Sequence, residues 1–122
     1  MESFKVVIAG GRLFLDYELM VTTMDRLLNR KVAEGYDIEV ISGTAKGADT
    51  MGEKYAEQRG FKLVRMPAQW STHGRSAGYK RNVAMADIAD AVVVFWDGSS
   101  RGTEHMRDIS LHKALPTRVI KY

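Results

Sequence analysis

The most informative segment of this chain is Ser42-Gly-Thr-Ala-Lys-Gly-Ala-Asp49. It lies between an apolar run, Ile38–Ile41, and a segment whose apolar residues recur at helical spacing. The pattern predicts a strand that feeds a helix through a glycine-rich turn. Such a turn presents backbone N–H groups and the positive end of a helix dipole, which together attract an anion. The stretch therefore predicts an α/β unit that binds a phosphate-type ligand.

The composition is that of one small globular domain, which we expect to span residues 1–122. Of the 122 residues 45% are apolar, and no repeat or linker-like tract divides the chain. Cysteine is absent, which excludes disulfides and thiolate chemistry. The first apolar run is too short for a signal peptide or a membrane span, so we expect a cytoplasmic location. The net charge of +3, with scattered basic residues, slightly favours an anionic ligand.

Strand-like and helical segments alternate along the chain. The five strand-like runs are Phe4–Ala9, Ile38–Ile41, Lys62–Arg65, Ala91–Trp96 and Arg118–Ile120. Four helical patterns separate them, over about 17–28, 48–56, 77–89 and 103–114. Several strands are continuously apolar, which is typical of a parallel sheet covered on both faces. The alternation predicts an α/β fold: a Rossmann-like, three-layer α/β/α arrangement with a mainly parallel sheet of about five strands.

Four loops should meet at one edge of that sheet, because ligands of open α/β sheets bind beyond the carboxyl ends of the strands. The loops are Gly10–Phe14, Ser42–Ala48, Met66–Ser76 and Asp97–Thr103. Together with the helix starts that follow, they supply the predicted ligand-binding residues. These are Gly10, Gly11, Arg12, Ser42, Gly43, Lys46, Gly47, Asp49, Trp70, Arg81, Asn82, Asp97, Gly98, Ser99, Gly102 and Thr103.

The first two loops have both a structural and a functional interpretation. The glycine pair before Arg12 either makes a tight turn or lets a ligand approach the backbone. In the second case Arg12 would be a bidentate donor to phosphate or carboxylate. In the second loop, Lys46 would contact the anion, whereas Asp49 would at least stabilise the helix N-terminus. The second loop lacks the ending of a Walker A motif and the spacing of a dinucleotide fingerprint. NTP hydrolysis and dinucleotide redox chemistry are therefore not supported.

The third and fourth loops leave similar alternatives. Trp70 either covers the core or stacks on a base. Arg81 would meet phosphate and Asn82 a ribose hydroxyl or base edge, unless both lie on a solvated helix face. Asp97 either binds a ribose hydroxyl or forms a turn with Gly98. In the fourth loop, the glycines allow close approach, and the Ser99 and Thr103 hydroxyls either bind phosphate or cap the helix.

The Ser-Gly-x-Ala-x-Gly-x-Asp pattern of residues 42–49 resembles the signature of the SMF/DprA branch of the SLOG superfamily. The whole chain is similar to the YspA-like SLOG proteins of bacteria and phages. The further matching residues, in order, are Gly10-Gly11-Arg12 with Phe14 and Asp16, Pro67-Ala68-x-Trp70, Ala77-Gly78, Arg81-Asn82 with Met85, and Phe95-Trp96-Asp97-Gly98-Ser99-x-x-Gly102-Thr103.

The resemblance implies a Rossmann-like domain with a nucleotide site, and it leaves catalysis uncertain. LOG nucleotide hydrolases carry an Arg-x-x-x-Met pattern in their nucleotide site, which Arg81 and Met85 reproduce. They also carry a glutamate three residues after the threonine of a glycine-rich motif. Met106 occupies that position here, so Glu104 and Asp97 are the remaining candidates for a catalytic carboxylate.

Three functions remain open on the sequence. The first is binding or sensing of a nucleotide-derived ligand, and the second is a LOG-like phosphoribohydrolase or N-glycosidase. The third is DprA-like binding of single-stranded DNA, in which Lys46, Arg75 and Arg81 would contact phosphates. The three histidines do not form a metal-binding spacing, so neither a metal nor another cofactor is predicted. The expected partners are a nucleotide-type small molecule and a second copy in a homo-oligomer, but no membrane.

Overall fold

The computed structural model describes residues 2–122 and contains one five-stranded sheet. Its strands are β1 (Ser3–Gly10), β2 (Asp37–Ser42), β3 (Lys62–Arg65), β4 (Ala91–Trp96) and β5 (Thr117–Lys121). All strand pairs are parallel, in the order β3-β2-β1-β4-β5. The predicted Rossmann-like α/β fold is confirmed, and every predicted strand boundary lies within one residue of the observed one.

Helices connect the strands. They are α1 (Tyr17–Ala33), α2 (Ala48–Arg59), α3 (Trp70–His73), α4 (Ala77–Ile88) and α5 (Arg101–His112). The α1 helix begins where the Asp16 carboxylate accepts a hydrogen bond from the Leu19 amide at 3.0 Å. The α2 helix ends at Gly60, whose φ of 71° is the left-handed conformation that glycine adopts without a steric penalty.

The segment after β3 differs from the sequence prediction. A continuous loop over residues 66–76 was expected, but the structure places there the single turn of α3 and a 3₁₀ turn, Gly74–Ser76. The amides of Thr72 and His73 both donate to the Gln69 carbonyl and so close the α3 turn. One helical turn is too short to produce a repeating apolar pattern, which is why the periodicity did not indicate it.

Two apolar cores lie on the two faces of the sheet. The larger contains Ile8 and Val40 from the strands together with Met20, Met24 and Tyr55 from α1 and α2. The smaller joins strand residues to side chains of α4 and α5, including Met85 and Met106. Because both faces are covered, β1 and β4 read as nearly uninterrupted apolar runs, as the sequence had indicated.

The strand order fixes where a ligand can enter. From β1 the chain continues to β2 on one side, while β4 pairs with the other side of β1. The loops that leave β1 and β4 therefore diverge and open a crevice at the carboxyl edge. Of the helices in residues 2–122, none combines the length and the apolar character needed to cross a bilayer.

Candidate functional site

A cavity of about 480 Å³ lies at the carboxyl ends of β1 and β4. Its volume is within the range of small-molecule sites in proteins. All four predicted loops contribute to its wall. The predicted ligand-binding residues that line it are Gly10, Gly11, Arg12, Asp49, Trp70, Arg81, Asn82, Asp97, Gly102 and Thr103.

The other predicted residues lie outside the cavity wall. They are Ser42, Gly43, Lys46, Gly47, Gly98 and Ser99, together with the carboxylate candidate Glu104. The side chains of Lys46 and Glu104 are both exposed. Of the segment 42–48, only Ala45 lines the cavity, so this segment contributes less to this site than its sequence suggested.

Several amides of the 42–49 segment already have acceptors inside the protein. The Thr44 amide donates to Ser42 Oγ at 3.0 Å, and the Ala45 amide donates to Asp49 Oδ2 at 3.1 Å. The first amide of α2, that of Ala48, donates to the Gly11 carbonyl at 3.1 Å. These bonds hold the second loop against the first, and they leave fewer N–H groups for an anion than a bare glycine-rich turn would offer.

Gly47 serves this loop packing. Its φ is 80°, and a Cβ there would overlap the Gly11 carbonyl oxygen and lie 2.5 Å from the Arg12 carbonyl carbon. Any other residue would be strained and would push the two loops apart. The structure thus assigns Gly47 to the contact between the first and second loops.

Gly43 allows a guanidinium to approach a buried carboxylate. Arg81 Nη1 donates to the Gly43 carbonyl. A Cβ on Gly43 would lie 2.8 Å from Arg81 Cζ and 2.9 Å from Asp49 Oδ2, so a side chain there would displace the guanidinium or the carboxylate. Gly43 therefore acts behind the cavity wall, where it fixes the position of a residue that lines it.

Asp49 is the most perturbed acid that lines the cavity. It is 4% exposed, and burial raises the pKa of its carboxyl to about 6. The Ala45 amide and the positive charges of Arg81 and Arg12 oppose that rise because they favour the ionised form. Burial also lowers the pKa of Arg81, while Asp49 raises it. The two opposite charges therefore act on each other at the cavity wall, without a direct salt bridge.

The fourth loop supplies donors. Asp97 accepts hydrogen bonds from the amides of Ser99 and Ser100 at 2.8 and 2.9 Å, which lower the pKa of its carboxyl. This is the turn-forming interpretation of Asp97. Among residues 2–122, the α5 amides of Gly102 and Thr103 donate to no protein acceptor. Both residues line the cavity, so the first turn of α5 offers free N–H groups there.

Two aromatic side chains, Trp70 and Tyr79, also line the cavity. Trp70 of α3 is 55% exposed, and its ring lies above Gly78, where a Cβ would be 3.5 Å from the ring. Tyr79 of α4 is half-exposed and packs at 4.4 Å between ring centroids on His105 of α5. Trp70 therefore does not cover the core, and its ring face remains available at the cavity.

Sequence reasoning missed three polar or aromatic residues of the wall, namely Tyr79, Ser100 and Tyr122. It named a fourth, Arg75, only as a phosphate contact for single-stranded DNA, and the structure places Arg75 at the cavity. Tyr122 follows β5, so the carboxyl-edge rule applied to the last strand would have indicated it. Its hydroxyl reaches Gly11, which has no side chain to block it. Tyr79 carried no comparable signal.

The position that holds a glutamate in LOG hydrolases is apolar here. Met106 is buried and lines the cavity together with Met85. Glu104 is exposed and lies outside the wall, so it does not replace that glutamate in this conformation. No cluster of three or more histidine, aspartate or glutamate side chains that could hold a metal ion occurs within residues 2–122.

Comparison with known proteins agrees with this architecture. A sequence profile of the YspA, cpYpsA-related SLOG family matches residues 4–73. The chain is also similar to the Gene 61 protein of Mycobacterium phage D29, with 34% identity over 107 residues, which cover 83% of each protein. No solved structure matches the chain. The resemblance inferred from the sequence motifs is thus confirmed, and the chain belongs to the YspA- and cpYpsA-related SLOG family.

Proposed function

We propose that this protein binds a nucleotide-derived ligand in the cavity at the carboxyl edge of the sheet. The observation that carries the proposal is the composition of the cavity wall. Three arginines, Arg12, Arg75 and Arg81, and the free amides of the α5 first turn face the same space as the exposed ring of Trp70. Membership of the SLOG family supports a nucleotide-related ligand.

The charged part of the wall suits phosphate. Arginine donors and helix N-terminal amides both favour anions, and in this wall they outnumber the two carboxylates, Asp49 and Asp97. Both carboxylates are already engaged by backbone amides. We therefore assign the phosphate to the arginines and the start of α5 rather than to Lys46.

The aromatic part suits a base. Stacking of a purine or pyrimidine ring on an aromatic side chain contributes about 1–3 kcal/mol of binding free energy, and it does so for every base. Trp70 offers such a face. It is not part of the apolar core, since α3 has no buried residue. Ligand affinity should therefore depend on Trp70, whereas the stability of the free protein should not.

The first experiment measures thermal unfolding with AMP, ADP-ribose, NAD, cyclic nucleotides and short single-stranded oligonucleotides. A ligand that binds the native state raises the unfolding temperature by mass action. The dissociation constant of the most effective compound is then compared between wild type and the Arg12→Ala, Arg75→Ala and Trp70→Ala variants. Each variant should weaken binding by about tenfold, because each removes a charged or stacking contact.

Lys46→Ala and Arg101→Ala are the matched controls. Both side chains are exposed cations close to the site, but neither lines the cavity. Equal losses in the controls and the cavity variants would mean that binding follows overall charge, and the site assignment would be wrong. A preference for oligonucleotides with a steep loss of affinity in salt would instead indicate DNA binding.

A further inference from the structure

Asn82 connects three parts of the site although it is almost completely buried, at 6% exposure. Its Oδ1 accepts a hydrogen bond from Arg81 Nε at 3.1 Å. Its Nδ2 lies 3.3 Å from the Gly102 carbonyl oxygen and 3.2 Å from His105 Nδ1. Through Arg81, which also donates to the Gly43 carbonyl, the network reaches the loop after β2. Both N–H groups of the carboxamide thus have acceptors within the protein, and its oxygen already accepts from Arg81.

The partners fix the orientation of this carboxamide. A guanidinium N–H can only donate, and a backbone carbonyl can only accept. The oxygen of Asn82 must therefore face Arg81, and the amino group must face Gly102. In the reversed orientation the amino group would face the N–H of Arg81, donor against donor, and the oxygen would face the Gly102 carbonyl, acceptor against acceptor.

The same orientation determines the protonation state of His105. The Asn82 amino group points at His105 Nδ1, so that nitrogen must present a lone pair. The imidazole is then neutral with its proton on Nε2. A second proton on Nδ1 would place two donors against each other at 3.2 Å and break the contact.

We propose that Asn82 is a positioning residue of the anion site, which holds Arg81 and the first turn of α5 in place while His105 is neutral. The inference rests on the proposed function, because it concerns the same arginine and the same helix start. It assigns Asn82 a role behind the ligand, in place of the ribose or base contact that its sequence position suggested. Acidification should then loosen the site and weaken binding.

The surroundings of His105 are consistent with this sensitivity. Tyr79 of α4 packs on its ring, the charge of Asp108 of α5 acts on it, and Asn82 is its hydrogen-bond partner. Burial lowers the pKa of the His105 imidazole, and Asp108 opposes that shift. On the far side of Arg81, Asp49 loses its charge near pH 6, which would favour anion binding. The two titrations act in opposite directions, so variants are needed to separate them.

The network itself is tested without any ligand, by NMR of the ¹⁵N-labelled imidazoles. Wild type should show His105 as the Nε2–H tautomer with a pKa below the ordinary histidine value. Asn82→Ala should move the pKa of His105 back toward that value. Asn82→Asp should move it higher still, because a carboxylate accepts a hydrogen bond from Nδ1–H and its negative charge stabilises the imidazolium. An ordinary pKa and the Nδ1–H tautomer in wild type would overturn the proposal.

Its effect on binding is tested with ADP-ribose, whose pyrophosphate lacks the second ionisation that phosphate monoesters have at a pKa of about 6. Asn82→Ala should weaken ADP-ribose binding by about tenfold at neutral pH. Between about pH 7.5 and about pH 5, wild type should lose affinity relative to His105→Gln, which cannot be protonated. His112→Gln, an exposed histidine at the end of α5, is the control and should follow wild type.

The outcomes separate the two proposals. If the NMR result is as expected but Asn82→Ala binds ADP-ribose as tightly as wild type, Asn82 is a structural residue and the positioning role is wrong. If wild type and His105→Gln have parallel pH profiles, the dependence on neutral His105 is wrong. If wild type binds none of the nucleotides tested, the proposed function fails and the positioning role fails with it, whatever the state of His105.

Discussion

At the scale of single residues, the site depends on polar side chains that also form hydrogen bonds within the protein. Asp49 accepts a hydrogen bond from the Ala45 amide and lies near Arg81, and Asn82 uses both ends of its carboxamide to join Arg81 to α5. The sequence indicated both residues as ligand contacts, because polar side chains at a carboxyl edge commonly are. What it did not indicate is that each already has protein partners. For Asp49 the hydrogen-bond partner is only four residues away, whereas the Gly102 partner of Asn82 lies 20 residues further along the chain.

The buried carboxylate of Asp49 predicts a pH dependence of stability. Its pKa is about 6 in the folded protein and 3.8 in an unfolded chain, so the folded state binds the extra proton between these values. Stability conferred at this site is therefore present at low pH and lost as pH rises through about 6. Relative to Asp49→Asn, wild type should lose about 2 kcal/mol of unfolding free energy between about pH 4.5 and about pH 7.5.

Urea denaturation of both proteins across this pH range measures the difference directly, because titrations shared by the two proteins cancel. Asparagine keeps an oxygen that can accept the Ala45 amide, so the comparison isolates the ionisation of the carboxyl. Parallel stability curves for the two proteins would show that the Asp49 carboxyl is not perturbed by burial.

At the scale of the secondary-structure elements, α3 differs from the longer helices. It is a single turn, the 3₁₀ turn follows it directly, and neither contains a buried residue. By contrast, α1 and α2 bury one face of each helix against the sheet. The element that carries Trp70 is therefore held mainly by local hydrogen bonds, which open more readily than packed helices do.

Hydrogen exchange should show this difference. Amides of residues 70–76 should exchange faster than those in the middle of α2, because few contacts must break to expose them. A nucleotide that stacks on Trp70 should slow exchange in 70–76 and at the start of α5, but not at the exposed end of α1. Mass spectrometry of peptic fragments with and without the nucleotide provides the measurement. Equal protection of 70–76 and α2 in the free protein would contradict the prediction.

At the scale of the whole molecule, the central strand determines stability. Ile8 of β1 is completely buried in the larger core, whereas Leu13 in the following loop is 87% exposed. Ile8→Ala should lower the free energy of unfolding by about 2–5 kcal/mol, because it leaves a cavity between the sheet and α2. Leu13→Ala should change it by less than about 0.5 kcal/mol. Chemical denaturation of the two variants tests the contrast, and comparable losses would mean that Leu13 is covered in solution.

The order of strands and helices, the parallel α/β architecture and the edge at which the unusual residues collect could all be predicted from the amino-acid sequence. This was possible because the apolar periodicity is local, and because parallel strands bring all their carboxyl ends to one edge. The same rule explains why ten of the predicted residues line one cavity.

Tertiary structure decided which of those groups face the cavity freely. The Gly11 carbonyl accepts a hydrogen bond from the first amide of α2, and the Asp49 carboxylate accepts one from the Ala45 amide. Asn82 joins Arg81 to α5. It also brought Arg75, Tyr79 and Tyr122 to the wall. Apart from the local bond between Ala45 and Asp49, these arrangements depend on hydrogen bonds and packing between segments that are distant in sequence, and such pairings leave no local pattern in the chain.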